Sequence, residues 1–248
     1  FVTSTYVIFG EIDNKVIEFV ISNNNTIVVG DLTYNISMNL SHYKNEILKL
    51  SGDPDRYVDA ATERQKVYTR FTAGTAFPEF YGYIVDGIFQ TQAEADAHAP
   101  YGDTDYNQPG HFKYRDVSGY GTITAYDRTF IGSPHPDVTG GLNINLGYKN
   151  FDLTMFFYGS LGNEMVNYVT RWIDYGQFNG GLRKDALYNT WGSPYLDDNS
   201  KAEVPKLDLS DISQEPSTAF IEDASYLRLK NLRLGYTVPK SLLDRAGI

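Results

Sequence analysis

The sequence predicts an all-β fold: part of an antiparallel transmembrane β-barrel carrying long loops. Three observations lead there. Several stretches alternate apolar with small polar residues at period two, the pattern of strands with one apolar and one wet face. Two of these strands are joined by only two turn residues, which makes a hairpin. The remaining connections are far longer than ordinary loops, and short turns on one side with long loops on the other is the asymmetry of outer-membrane barrels.

Composition narrows the classes. The 248 residues carry a formal charge of −10, with 20 Tyr and 14 Phe in a 15% aromatic share. An acidic balance argues against a nucleic-acid binder, which needs a basic face for phosphates. The chain has no Cys, so disulfide scaffolds, thiolate metal sites and cysteine catalysis drop out together. No run of about 18 apolar residues exists, so no transmembrane helix is expected; barrel strands give a much weaker signal.

In chain order, Phe1 opens into the strand-like run Val2 to Phe9 with no initiator Met or signal peptide. Val16 to Ile21 reads as a strand, and Asn23-Asn24-Asn25 as a turn. Leu32, Tyr34, Ile36, Met38 and Leu40 then alternate with Thr33, Asn35, Ser37, Asn39 and Ser41. Leu142, Ile144, Leu146 and Tyr148 alternate with Asn143, Asn145 and Gly147. The turn Lys149-Asn150 leads to Phe151, Leu153, Met155 and Phe157. From Tyr226 to Thr237 the apolar phase slips, with Leu227 and Leu229 odd but Leu232, Leu234 and Tyr236 even. A bulge near Lys230-Asn231 is required to keep them on one face. Pro239 ends the pairing, and Lys240 to Ala246 is expected to form one or two helical turns. Ile248 follows what reads as a connector, so the chain is expected to be part of a longer polypeptide.

Candidate sites lie in the long stretches, Gly74 to Thr139 and Gly162 to Asp223. Asp116, Ser118, Gly121 and Asp127 fall at positions 1, 3, 6 and 12 of a calcium loop. Position 5 is Tyr120, which cannot supply a carboxylate. A glycine-bearing turn is therefore favoured over bound calcium, and no cofactor is expected; were an ion held, Asp116, Ser118 and Asp127 would be its ligands. His42, His98, His111 and His135 are too scattered for a local metal pair. Carboxylate pairs such as Asp197-Asp198 and Glu222-Asp223 read as solvated loop charge, not as a glycosidase dyad. No nucleophile elbow, P-loop or dinucleotide fingerprint occurs, and no catalytic residue is assigned. Trp172, Tyr175, Phe178, Tyr188, Trp191 and Tyr195 make the second stretch aromatic-rich. Of these, Trp172, Tyr175, Tyr188 and Trp191 are the candidates for stacking on a ligand, against the alternative of loop packing.

These motifs, in this order, resemble a known family. Gly10-Glu11-Ile12-Asp13-Asn14-Lys15 is similar to a recurrent GE(I/V)xNKG segment, and Tyr81 to Gln90 to an FYGYxxDGIFQ segment. Asp116 to Arg128 resembles a DxNGDGxITxxDR stretch, followed by Ile131-Gly132-Ser133-Pro134 as IGxP. Asn150 to Leu153 and Tyr226 to Leu232 complete the set. By these segments the chain resembles the SusC/RagA-like TonB-dependent transporters of the Bacteroidota outer membrane. It departs at Val16, where the family usually has Gly, and at Ser118 and Tyr120, where it usually has Asn and Asp.

The resemblance implies a barrel of about 22 strands. It implies import of glycans, or of peptides, with a SusD-like surface lipoprotein and the TonB–ExbB–ExbD motor engaged through regions absent here. Residues 1–248 would form one piece of the barrel domain near its C-terminus. That piece is strand-rich over 1–50, 140–162 and 225–238, with long loops over 74–139 and 162–223, and lacks the plug domain and final strands. Lys149-Asn150 would face the periplasm and both long stretches the exterior. The rival reading is a soluble carbohydrate-binding β-sandwich. It would point its apolar faces inward and more often carry Lys and Glu outside; the small, wettable Asn, Ser, Thr and Gly face favours the barrel.

Overall fold

A computed structural model describes residues 10–23, 27–50, 55–60, 62–63, 66–175, 181–207 and 214–247. The strand expected over Val2 to Phe9, the Asn24-Asn25 turn and Phe178 lie outside these residues. The chain divides into a sheet unit (13–45, 135–163, 223–248) and a loop unit (1–12, 46–134, 164–222). Among the described residues no helix is long and apolar enough to cross a membrane, which says nothing of strands.

The main sheet runs in the order Gly10–Ser22, Leu32–Leu50, Val138–Tyr148, Phe151–Leu161, Tyr226–Tyr236, with Ile27–Val29 paired to the Leu32 strand. The hairpin forms as the alternation requires. Tyr148 pairs Phe151 across Lys149-Asn150, and Lys149 adopts the left-handed φ of 54° that closes so short a turn. Register then lines up every apolar position. Ile36 pairs Ile144, Ile144 pairs Met155, and Met155 pairs Leu232, all on one face. At the turn end the same face carries Leu32, Tyr148, Phe151 and Tyr236 side by side.

The bulge stands where the phase slip demands it. Phe156 pairs Asn231 and Phe157 pairs Leu229, which leaves Lys230 as the extra residue. Leu227 and Leu229 thereby share a face with Leu232 and Leu234. Leu227 is 75% and Leu234 71% exposed, so nothing among the described residues covers that face there. After Pro239, Lys240–Ala246 forms the expected short helix, ended by Gly247 at a φ of 71°.

The two long stretches depart from the expectation of loops. Together with residues 57–72 they build short strands and helical turns around a core of their own. Thr129–Gly132, Glu79–Gly82, Thr69–Thr72 and Tyr57–Asp59 form a four-stranded sheet in that order. Tyr83, Ile88, Tyr106, Phe112, Tyr114, Ile123, Tyr175 and Phe220 pack into one buried cluster. Elements of three or four residues are too short to show a period, and the core residues come from distant parts of the chain, so alternation could not reveal them. Gly82 has a packing reason: a Cβ there would lie 2.2 Å from the carbonyl oxygen of Pro216, which accepts the Tyr83 N–H at 2.8 Å. Arg70 lies 3.7 Å from the ring centre of Tyr57 and 4.0 Å from that of Tyr81, its guanidinium bonded to Asp59. The acidity concentrates in this unit, with 24 Asp and Glu against 13 Lys and Arg; the sheet unit has 7 against 8.

Candidate functional site

Strand alternation puts Asn, Ser, Thr and Gly opposite the apolar face. Asn145 lies between Asn35 and Thr154 in a cross-strand row of amides and a hydroxyl, and Asn143 lies between Ser37 and Phe156, an aromatic residue on the same face. The Tyr226 strand adds charge to this face. Arg233 pairs with Asp152 at 3.2 Å. Lys230, the bulged residue, reaches over the Tyr158 ring at 4.6 Å, and Arg228 over Tyr226 at 5.1 Å. The bulge therefore does two things: it holds the leucines on the apolar face and aims an added cation at the wettable one. The phase slip locates the bulge from sequence but gives no sign of where Lys230 points. This wall can hydrogen-bond a polar solute along its length.

In the loop unit the four candidate aromatic residues are dispersed. Tyr175 is buried in the core cluster, in contact with Phe112 and Phe220. Trp191 packs against that cluster and donates its indole N–H to Gln90 Oε1 at 3.0 Å. Trp172 meets Tyr168 edge-on at 5.6 Å, beside Arg171. Tyr188 is 47% exposed and pairs at 5.6 Å with Tyr195, itself 62% exposed. Of the four, Tyr188 is the one that offers a ring to the surface, and Tyr195 joins it because the tight turn after Thr190 returns the chain.

The Asp116–Asp127 segment folds by using its carboxylates on its own backbone. Asp116 accepts the N–H groups of Gly119 and Gly121 at 2.7 and 2.8 Å. Asp127, fully buried, accepts those of Ser118 and Thr124 at 3.0 and 2.6 Å and closes a capping box with Thr124. Burial works against the charge of Asp127, but the amides of Ser118 and Thr124 and the side-chain bonds together hold its carboxyl below the ordinary value. Among the described residues no three His, Cys, Asp or Glu side chains gather as a metal-binding group. Tyr120, in place of the fifth ligand, is 77% exposed.

Asp174 is a buried acid that sequence gave no reason to single out. It is 0% exposed, with Arg183 on Oδ2 at 2.7 Å and, among the described residues, no hydrogen-bond partner for Oδ1. Burial pushes its carboxyl up, against the pull of Arg183. Arg183 also donates its backbone N–H to the Ile173 carbonyl at 3.0 Å.

No protein-family profile matches the chain. Curated relatives do. TonB-dependent receptor P3 of Formosa agariphila is 36% identical over 244 residues, 96% of this chain and 23% of the relative. TonB-dependent receptor SusC of Bacteroides thetaiotaomicron is 30% identical over 230 residues, 92% of this chain and 21% of the relative. The solved structure of the RagAB peptide transporter superposes at a TM-score of 0.69 with 25% identity, covering 94% of this chain and 23% of that one. The RagAB peptide importer in its closed-closed state gives 0.66. The chain thus spans less than a quarter of the length of the relatives it matches. The fold is that of a transporter barrel wall and not of a sandwich. In sequence and in fold, the chain is a segment of a SusC/RagA-like TonB-dependent receptor, a β-barrel of the bacterial outer membrane.

Proposed function

We propose that the receptor to which this segment belongs imports oligosaccharides across the outer membrane. It does so together with a SusD-like surface lipoprotein and draws on the TonB–ExbB–ExbD motor through parts of the protein outside the segment. The observation that carries the reading is the two-faced wall: four strands in register, leucines on one side and a wettable row of amides, hydroxyls and cations on the other. Apolar side chains suit the bilayer, and a hydrogen-bonding face suits a hydrated passage. The aromatic row Tyr148, Phe151 and Tyr236 beside Leu32 fits a membrane–water interface at the hairpin turn. The short turn then faces the periplasm, and the strand ends that lead to the long excursions face the exterior.

The segment has a passive part in transport and no covalent chemistry. Tyr188 and Tyr195 are the loop rings available to stack on a sugar face or an aromatic side chain of a ligand. The Asp116–Asp127 turn, whose carboxylates are taken up by backbone amides, keeps its shape without calcium. A peptide cargo is the second reading, supported by the likeness to RagAB, a peptide transporter by its own description.

The test is uptake by cells that carry the full receptor and its neighbouring lipoprotein, offered labelled oligosaccharide and oligopeptide pools. The proposal expects depletion of oligosaccharides that stops when the receptor is deleted and weakens in Tyr188→Ala. Depletion confined to peptides would favour the second reading. Uptake unchanged by deletion would overturn both.

A further inference from the structure

The wettable face of the wall carries its charge unevenly. Arg228 is in register with Tyr158, and Tyr226 with Ser160, on the face opposite the leucines. The Tyr158 and Tyr226 rings meet there, their centres 6.2 Å apart at 46°. Each ring has a cation over it: Lys230 Nζ stands 4.6 Å from the centre of Tyr158, and Arg228 Cζ 5.1 Å from that of Tyr226. At the bulge, Lys230 and Asn231 both lie on this face, so the strand gains a cation there without losing the amide. Acid is scarce beside them. Asp152 is the one acid in the paired stretches 32–41, 138–148, 151–161 and 226–236. It is taken by Arg233 at 3.2 Å and sits six residues, about 20 Å, along the strand from Tyr158. Asp223, the nearest acid in the chain before Arg228, accepts the Ser225 N–H at 2.8 Å. Among the described residues neither Arg228 nor Lys230 pairs with a carboxylate. Rings, not acids, hold these two exposed cations, so the wall leaves their charge unneutralised and their mutual repulsion unrelieved.

We propose that Tyr158, Tyr226, Arg228 and Lys230 form an anion subsite of the passage, and that the cargo is an acidic oligosaccharide bearing carboxylate or sulfate ester groups. The inference rests on the importer reading above and narrows its substrate. Charge selects the anion, and the rings select what carries it. A guanidinium takes two oxygens of a carboxylate or sulfate at once, and the ammonium beside it adds a point charge. The two rings offer apolar planes with hydroxyl edges, which match the C–H face and hydroxyls of a sugar ring. A neutral sugar would stack on the rings and leave both cations unanswered. A lipid phosphate does not meet the group, which faces away from the leucine belt. Arg228 and Lys230 stand in the half of their strand remote from the Lys149-Asn150 turn. In the orientation argued above that is the outer half, so an entering solute meets them before it meets Arg233.

The test uses cells that carry the full receptor and its neighbouring lipoprotein. They are offered radiolabelled oligosaccharides from partly hydrolysed uronate-containing, sulfated and neutral polysaccharides, separated by anion exchange into an anionic and a neutral fraction of matched length. The proposal expects receptor-dependent depletion of the anionic fraction in preference to the neutral one. At low supply that depletion slows about fivefold in Lys230→Gln, and further when Arg228→Gln is added. Exchanging the two cations, Arg228→Lys with Lys230→Arg, restores most of it. The amount of heat-modifiable receptor and its denaturant midpoint are read for each variant and should match the unaltered receptor. Lys230→Gln keeps the bulge and both flanking pairs, so it carries the test alone should the double variant fail to assemble. Depletion confined to the neutral fraction, or anionic depletion unchanged by the substitutions, would overturn the subsite while leaving the importer reading in place. So would a lowered midpoint with both fractions slowed alike, since the cations would then answer an acid elsewhere in the receptor. Depletion of neither fraction by the unaltered receptor, or of acidic peptides alone, condemns the oligosaccharide reading itself.

Discussion

Replacing Leu232 by arginine should show which solvent the leucine face meets. Each of the three strands around it has 11 residues. At about 3.3 Å per residue such a strand is roughly 36 Å long, and a tilt near 40° brings its span to about 28 Å, close to the ~25 Å apolar band of an outer-membrane barrel. Leu232 sits near mid-strand, 61% exposed, in the row Ile36, Ile144, Met155, Leu232. Leu32 lies on the same face in the row beside the hairpin turn, with Tyr148. An arginine at a bilayer midplane costs about 2–4 kcal/mol, and near the interface about 0–1. Leu232→Arg should therefore destabilise by about 3 kcal/mol, Leu32→Arg by less than about 1, and Asn231→Arg, on the wettable face beside Arg233, by about 0.5 or less. The assay is reversible folding of the full receptor into lipid vesicles, read from the denaturant midpoint at constant slope. A protein-packed core would not grade its cost by depth. Equal penalties for Leu232→Arg and Leu32→Arg, or a negligible one for Leu232→Arg, would refute the reasoning.

Other outcomes follow from the same structure. Deleting Lys230 should be tolerated, because Leu229 and Asn231 keep their partners Phe157 and Phe156 and the ladder becomes regular. Inserting one alanine between Leu232 and Arg233 should abolish outer-membrane assembly, since it turns part of the strand to the wrong face; normal heat-modifiable receptor from the insertion, or none from the deletion, would contradict this. Asp127→Ala should cost about 2–4 kcal/mol by orphaning the Ser118 and Thr124 amides, with Asp127→Asn intermediate. Hydrogen exchange at those two amides reads the effect. The two buried acids should respond to pH with opposite signs. Asp127, held below its ordinary value, stabilises above about pH 3.9, and that contribution is lost as pH falls through its lowered value. Asp174, pushed up by burial, contributes below about pH 3.9 and loses that contribution as pH rises through its raised value. Asp174→Asn should then be neutral or stabilising at pH 7 by local exchange protection near Ile173, and marked destabilisation there would reverse the assignment.

How much of this was legible in the sequence depended on period. The Leu32, Val138 and Phe151 strands, and the bulge in the Tyr226 strand, follow from alternation over eight or more residues, because a membrane wall must keep one face apolar throughout. The loop unit carries no such constraint. Its core joins Tyr83, Phe112, Tyr175 and Phe220 through tertiary packing, and its acids fold inward onto backbone amides, neither of which leaves a periodic trace. For the same reason the aromatic candidates could be named but not sorted. Tyr175 and Tyr188 look alike in sequence, and burial alone separates a core ring from a surface one.

The most direct test of the wall itself uses the absence of cysteine from this chain. Single cysteines at Asn143, Ile144, Asn145 and Leu146, in a full receptor with its other cysteines replaced, can be challenged in intact outer membranes with a small charged thiol reagent. The account predicts strict alternation: positions 143 and 145 react from the water-filled side, while 144 and 146 are protected and are reached by a lipid-soluble reagent. Uniform labelling of all four by the charged reagent, or protection of 143 and 145 with labelling of 144 and 146, would contradict it.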